Sequence, residues 1–180
     1  MTAPDPPARK ASFPPVADRR TRLLVLGSLP GDASLAAGRY YAHPQNQFWR
    51  LMGAVLQVDL AGLGYADRLA ALLERRVGLW DSVASATRRG SSDAAIRDIQ
   101  GNDLPGLVAG LPALRAIAFN GGTAHRLGMR QLGSAAPVTA PVAASGDRLA
   151  VLRLPSSSPL HTVGLAAKLP AWLALRAWLD

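Results

Sequence analysis

One ten-residue segment, residues 40–49, combines residue types that could bind a planar molecule and act on it. It holds four aromatic residues, an imidazole and the amide of Asn46. Aromatic rings stack on heterocycles, and amides read their polar edges. Tyr41 and Asn46 are therefore candidate ligand contacts. The same residue types have structural uses: Asn46 could cap a following helix, Phe48 fits a core position, and Trp49 fits either role.

Two further segments place polar groups where a strand is expected to end. Residues 27–31 read GSLPG, a tight turn that could bring the backbone at Gly27 and Ser28 close to a ligand, or simply end a strand. The GxxxxGK[ST] pattern of a phosphate-binding loop is absent. Asn120 precedes Gly121 and Gly122, so its amide could face a ligand or cap the next helix.

The fourth segment, PSSSPLH at residues 155–161, offers contacts to a nucleic acid. Hydroxyl and N–H groups of a serine-rich turn can bind a phosphate. Leu160, directly after a proline, could be an exposed apolar wedge that fills the gap left by an extruded base. The alternative is a capping turn with Leu160 buried.

Apolar runs and helical spacing alternate along the chain, which predicts an α/β fold with a largely parallel sheet. Ligands of such sheets bind beyond the carboxyl ends of the strands, where the four segments are expected to converge. The predicted strands cover residues 23–26, 77–80, 113–119 and 148–154. The predicted helices cover residues from about 46 to 56, 69–73, 103–111, 121–129 and 162–179. Pro170 should break or kink the last of these, or start its second half. Residues 131–146 are predicted to be a loop or weak hairpin.

Composition excludes several kinds of site. The chain has no cysteine, so disulfides, thiolate zinc sites, iron–sulfur clusters and cysteine nucleophiles are ruled out. Glu74 is the only glutamate, which excludes a pair of glutamates, and the three histidines are too scattered to suggest a metal cage. The net charge of +8 favours a polyanion as partner, although an arginine-rich proteome would also raise it.

The first twenty residues contain five prolines and no apolar stretch, which predicts a disordered leader before a single domain at residues 21–180. The sequence shows neither a signal-peptide core nor an apolar run long enough to span a membrane. We therefore expect a cytoplasmic protein, and we expect a monomer.

GSLPG, YYAHPQNQFW and LPSSSP, in this order, resemble the uracil-DNA glycosylase superfamily. The greatest resemblance is to its DNA-deoxyinosine (hypoxanthine-DNA) glycosylases, and the mismatch-specific uracil-DNA glycosylases have a related HPxNxFW segment. The resemblance runs from about Arg22 into the C-terminal helix and leaves out the loop near Gln131. It implies a three-layer α/β/α fold that flips a damaged base out of double-stranded DNA and cuts its N-glycosidic bond without a metal or cofactor.

The resemblance also implies roles for individual residues. Asn46 matches the catalytic asparagine that positions the attacking water, whereas Leu29 stands where mismatch-specific relatives carry theirs. Tyr41 matches an aromatic that stacks on the flipped base, and Asn120 a base-reading amide. The DNA contacts would be Ser156, Ser157, Ser158, the wedge Leu160 and His161, while Asp81 and Arg89 lie in a further family segment of uncertain role.

Three hypotheses follow from this resemblance. The first is a monofunctional glycosylase for deaminated bases, with hypoxanthine preferred. The second is a glycosylase that prefers uracil or an alkylated pyrimidine. The third is a module that binds lesions without cutting, which the missing asparagine at Leu29 favours.

Overall fold

A parallel sheet of four strands forms the centre of the protein in the computed structural model, which describes residues 7–133 and 148–180. In chain order the strands are β2 (Leu23–Gly27), β3 (Val77–Asp81), β6 (Ala116–Asn120) and β7 (Ala150–Leu154). Their order across the sheet is β3-β2-β6-β7. Every residue of β2 and β6 is buried, which explains why these strands are continuous apolar runs in the sequence.

Helices cover both faces of this sheet, which gives the predicted three-layer α/β/α fold. Alternate residues of a strand point to opposite faces. Leu23 and Val25 pack in one core with α2 (Phe48–Leu56), α3 (Tyr65–Glu74) and α6 (Leu165–Leu173). Leu24 and Leu26 pack in a second core with α4 (Leu104–Ala109) and α5 (Gly122–Leu132). The remaining helix, α1 (Asp32–Ala37), follows the GSLPG turn, and short 3₁₀ helices occupy residues 60–62, 93–95 and 174–178.

A second, antiparallel sheet was not apparent from the sequence. It contains β1 (Arg9–Ala11), β4 (Val83–Thr87) and β5 (Arg97–Gly101), with β4 in the middle. All five residues of β5 are exposed, so this strand lacks the apolar pattern by which strands are recognised.

The prediction of a disordered leader is wrong for residues 7–20, which pack against the domain. Strand β1 pairs with β4, and Val16 exchanges backbone hydrogen bonds with Leu79 of β3. The leader is ordered because β3 and β4 each leave one edge unpaired, and its backbone completes both. The folded part therefore begins before residue 21.

Helix boundaries differ from the predictions by a few residues at most ends, and two of these differences concern residues singled out above. Helix α2 begins at Phe48, two residues after Asn46. Pro170 lies inside α6 and does not end it, because the helix runs on to Leu173 before tightening into a 3₁₀ turn. The predicted loop at 131–146 lies outside the described residues except for its first three positions, of which Gln131 and Leu132 belong to α5. In the described part of the chain, no helix has the length and apolarity needed to cross a membrane.

Candidate active site

A cavity of about 650 Å³ opens at the carboxyl ends of the parallel strands. Its volume falls within the range of about 300–1,000 Å³ that is typical of small-molecule sites. The structure brings all four chemistry-bearing segments of the sequence to this cavity. Its walls include every residue singled out above as a site residue: Gly27, Ser28, Tyr41, Asn46, Asn120, Ser156, Ser157, Ser158, Leu160 and His161.

Asn46 both closes the turn that leads into α2 and lines the cavity, whereas the residue at the cap position of this helix is Gln47. Its Oδ1 accepts a hydrogen bond from the backbone N–H of Phe48 at 2.9 Å, at the start of α2. Its Nδ2 makes no hydrogen bond with any residue that the structure describes. The next residue, Gln47, donates its backbone N–H to the carbonyl oxygen of Ser157 at 3.0 Å, which ties the Asn46 turn to the serine loop.

Tyr41 is held in an unusual backbone conformation at the cavity wall. Its φ of 53° lies in the left-handed region, which is rare for a bulky residue and is strained. Phe48 stacks on one face of the ring at 3.8 Å between centroids, and the Trp49 indole N–H donates to the Tyr41 carbonyl at 3.2 Å. Only the opposite face and the edge of the ring remain for a ligand. Trp49 itself is buried in the core, which resolves the open question about that residue.

Asn120 does not cap α5; its amide holds Ser157. Asn120 Nδ2 donates to Ser157 Oγ at 2.8 Å, and Asn120 Oδ1 accepts the Ser157 backbone N–H, also at 2.8 Å. Ser157 is 0% exposed. The structure therefore differs from the expectation that Ser157 contacts a phosphate, because its hydroxyl and N–H already pair with a buried amide. It also leaves Asn120 only one Nδ2 hydrogen and one Oδ1 lone pair for a ligand.

The remainder of the serine loop faces outward. The Ser156 and Ser158 hydroxyls accept backbone N–H bonds within the loop, each at 3.2 Å, and both residues are partly exposed. Leu160 is 62% exposed at the cavity rim, so the interpretation as a buried capping residue is wrong. His161 has a buried Nδ1 without a hydrogen-bond partner among the described residues.

The GSLPG turn is fastened to the segment after β4 by two residues that the sequence analysis did not single out. The Ser28 hydroxyl donates to Asp93 Oδ1 at 2.7 Å. Arg88 is buried, and its guanidinium donates to the carbonyl oxygens of Leu29 and Pro30. Burial lowers the Arg88 pKa and raises that of Asp93. Nothing in the sequence distinguishes Arg88 from the neighbouring Arg89, which is exposed at the cavity wall.

Asp81 is a buried carboxyl group in the cavity wall, at the last position of β3. It is 3% exposed, and its Oδ2 accepts a hydrogen bond from the Ser12 hydroxyl at 2.6 Å. Burial is the main cause that raises the Asp81 pKa to about 7, and the Ser12 hydrogen bond opposes it.

The sequence matches one family over almost its full length. The model of the uracil DNA glycosylase superfamily matches residues 14–178. The chain belongs to this superfamily.

Proteins similar to this chain come from two Methanosarcina species. A hypoxanthine DNA glycosylase of Methanosarcina barkeri is 43% identical over 113 residues, which is 63% of this chain and 72% of the relative. A hypoxanthine DNA glycosylase of Methanosarcina acetivorans is 44% identical over 112 residues, or 62% of this chain and 71% of the relative. A solution NMR structure of a candidate uracil DNA glycosylase from M. acetivorans aligns with a TM-score of 0.79 and 34% identity, covering 96% of this chain and 100% of that one.

The described residues offer a cavity lined by amides and hydroxyls, by three carboxyl groups (Asp32, Asp81 and Asp93), and by Arg89, His43 and His161. Within residues 7–133 and 148–180, no three histidine, aspartate or glutamate side chains group as a possible metal site. The arrangement suits binding of an uncharged planar base and orientation of a water molecule.

Proposed function

We propose that this glycosylase acts as a monomer on double-stranded DNA, flips out a deaminated base, with hypoxanthine preferred, and hydrolyses its N-glycosidic bond without a metal or cofactor. Two relatives that carry the name hypoxanthine DNA glycosylase support the choice of base. The observation that carries the proposal is the position of Asn46. Its amide lies half-buried in the wall of a cavity with room for a base, where the aromatic segment 40–49 meets the serine loop.

The proposed chemistry uses positioning more than proton transfer by a strong base. Cleavage of an N-glycosidic bond passes through a cationic, oxocarbenium-like sugar, which DNA phosphates stabilise. Asn46 Oδ1 has a second lone pair and Nδ2 has free hydrogens, so the amide orients the attacking water. Preorganised donors in a water-poor cavity stabilise the charge that develops on the departing base, by roughly 3 kcal/mol for each well-placed donor.

The rim of the cavity fits a DNA duplex with one base extruded. Leu160 projects into solvent beside the cavity, where it fills the space that the flipped base leaves. Ser156 and Ser158, rather than Ser157, present the polar groups of the loop to a phosphate. The net charge of +8 adds attraction to the DNA backbone.

A preference for uracil is the second candidate. The superfamily is that of the uracil DNA glycosylases, and the similar NMR structure carries the name of a candidate uracil DNA glycosylase. A cavity of about 650 Å³ admits a pyrimidine as well as a purine.

Base release from duplexes that each carry one lesion tests the proposal. Deoxyinosine, uracil and xanthine are each placed in the same duplex sequence, incubated with the protein and treated with alkali to cut abasic sites. We expect the fastest release from deoxyinosine. Faster release from uracil would favour the second candidate. Binding to the lesion duplex with no release from any of them would overturn the catalytic function.

A further inference from the structure

A cluster of arginines lies at the end of the molecule opposite the cavity. The cavity wall contains only one arginine, Arg89, together with three aspartates. The parallel strands are five residues long, so their amino ends lie about 13 Å from the cavity end. At these amino ends, and around a pocket beside them, lie five arginines that we call the basic end: Arg22, Arg75, Arg76, Arg115 and Arg176.

The sheet itself places three of these arginines in a row. Arg76, Arg22 and Arg115 come directly before β3, β2 and β6, which are neighbours in the sheet. The Arg22 N–H donates to the Arg76 carbonyl, and the Arg115 N–H donates to the Arg22 carbonyl, both at 2.8 Å. Because adjacent strands are about 4.8 Å apart, three like charges follow one another across the sheet end. Like charges on neighbouring strands are destabilising.

Nearby carboxyl groups do not pair with this row. Glu74 and Asp180 line the pocket at the basic end, but neither side chain forms an ion pair with an arginine within the described part of the chain. Burial lowers the pKa of Arg22, and the charges of Arg115 and Arg76 lower it further, whereas the charge of Asp180 has a smaller, opposing effect. The arginines therefore repel one another, and a bound anion would relieve this repulsion.

Structural contacts account for three of the five arginines. Arg22, Arg115 and Arg176 each donate to backbone oxygens of residues near them. Arg75 and Arg76 are exposed, and neither side chain makes a hydrogen bond or ion pair with a residue that the structure describes. Two guanidinium groups are thus available for a ligand, beside a pocket of about 290 Å³.

The basic end fits a phosphate backbone better than it fits an acidic protein. Protein interfaces have an apolar centre, but the large apolar side chains that are exposed in the described residues, Ile99, Leu160 and Val163, lie in β5 and in residues 160–163. A DNA backbone requires no apolar contact. It carries one negative charge per roughly 1.7 Å of duplex, and arginine binds phosphate oxygens through two parallel N–H bonds.

We propose that the basic end is a second DNA-binding surface, which holds the backbone of another DNA segment while the cavity holds the lesion. Arg75 and Arg76 contact the phosphates, and the row that Arg76 forms with Arg22 and Arg115 attracts them. This inference goes beyond the proposed function, because base release uses none of these residues. Two surfaces allow the enzyme to pass from one DNA segment to another without entering free solution.

Bridging of two duplexes tests the second surface with the unmodified protein. One duplex carries a fluorophore and a stable abasic-site analogue, so its binding does not depend on which base the enzyme prefers. The other duplex is undamaged and fixed to beads. We expect the protein to retain the labelled duplex on the beads at about 50 mM salt and to lose it by about 200 mM, since binding to phosphates is strongly salt-dependent. Absence of retention at the lower salt concentration would overturn the inference.

The double variant Arg75→Gln, Arg76→Gln locates the second surface. Its matched control, Arg39→Gln with Arg97→Gln, removes two exposed arginines elsewhere. Retention should fall by at least about 10-fold in the first variant and stay within about 2-fold in the control, because two phosphate contacts are lost only in the first. Equal retention in the parent and the first variant would overturn the inference. So would an equal fall in both variants, because total charge would then account for it.

A competitor distinguishes DNA from an acidic protein as the occupant. Poly-glutamate and an unlabelled undamaged duplex, at equal total charge, are compared for release of the labelled duplex from the beads. We expect the duplex to compete at least about 10-fold more effectively, since arginine pairs with closely spaced phosphates. Stronger competition by poly-glutamate would overturn the assignment to DNA and favour an acidic protein.

Base release separates this inference from the proposed function. Neither Arg75 nor Arg76 lines the cavity, so the double variant should release hypoxanthine from a short duplex at the parent rate. It should also melt at or above the parent temperature, because it loses like charges and no hydrogen bond to a described residue. Release without bridging would overturn the second surface alone. Bridging without release of any base would overturn the proposed function alone.

Discussion

Under the proposed function, the Asn46 side chain has both a structural and a chemical role. Its Oδ1 closes the turn before α2, which fixes the direction in which its Nδ2 faces the cavity. A residue that is locked by its own structural bond needs no further support to hold a water molecule in place. The hydrogen bond that closes this turn and the proposed catalytic role therefore use different atoms of one amide.

The two roles of Asn46 can be separated by substitution. Asn46→Ser keeps a side-chain acceptor for the Phe48 N–H, whereas Asn46→Ala removes it. Both variants should release hypoxanthine at least about 100-fold more slowly than the parent, because both lose the amide that orients water. Only Asn46→Ala should also lose about 1 kcal/mol of stability, measured by urea unfolding. Activity close to that of the parent in either variant would show that Asn46 does not hold the water.

Asn120 is predicted to matter mainly for stability of the loop. Asn120→Ala leaves the buried N–H and hydroxyl of Ser157 without partners, which should cost about 2–3 kcal/mol and lower the melting temperature by about 5–10 °C. Ser157→Ala removes only one of the two bonds and should cost less, about 1 kcal/mol. If Asn120→Ala melts at the parent temperature but loses base discrimination, Asn120 reads the base after all.

At the scale of elements, helix α6 braces the serine loop from behind. The Trp172 indole N–H donates to the Pro155 carbonyl at 3.1 Å, and the buried Lys168 ammonium donates to the His161 carbonyl at 3.2 Å. These bonds fix both ends of the loop, whereas the side chain of Leu160, just before the second of them, remains exposed. A wedge needs this combination, since a mobile loop could not hold an unstacked duplex open.

Leu160→Ala tests the wedge. The side chain is mostly exposed, so its loss should leave stability unchanged, but release of hypoxanthine from a duplex should slow by about 10-fold because extrusion costs a few kcal/mol. Release from single-stranded DNA, which needs no extrusion from a stack, should change much less. Val163→Ala, at a nearby position that is also exposed, is the matched control and should affect neither substrate. An equal loss on both substrates would contradict the wedge.

Elements that pack on the central sheet could be predicted from the sequence, and those outside it could not. Strand β2 and helix α2 bury a continuous run and an amphipathic face, so their patterns carry the signal. Strand β5 is exposed along its length, and no residue of β1 is buried, so neither strand has an apolar pattern in its side chains.

At the scale of the whole molecule, only those site residues whose local composition stands out could be predicted from the sequence. Asn46 and Ser158 lie in motifs whose composition stands out. Ser12 contacts Asp81, which lies 69 positions later in the chain. Arg88 contacts the GSLPG turn, which lies 58 and 59 positions earlier. Such contacts depend on tertiary folding that places the leader beside β3, and local composition contains no trace of it.

The leader connects the antiparallel sheet to the cavity wall, so its removal shows what it contributes to the domain. Besides Ser12, it holds Tyr40 and Trp80 through the backbone carbonyls of Pro14 and Phe13, at 3.0 and 2.9 Å. Deleting residues 1–12 removes β1 and the hydroxyl that holds Asp81 but keeps those two carbonyls. We expect lower stability in the deletion, because it leaves one edge of β4 without a partner, and a smaller loss in full-length Ser12→Ala, which keeps that strand. Thermal unfolding of both variants separates the lost hydroxyl from the lost strand: an equal loss of stability in the two would mean that the Ser12 hydroxyl, and not β1, accounts for the contribution of residues 1–12.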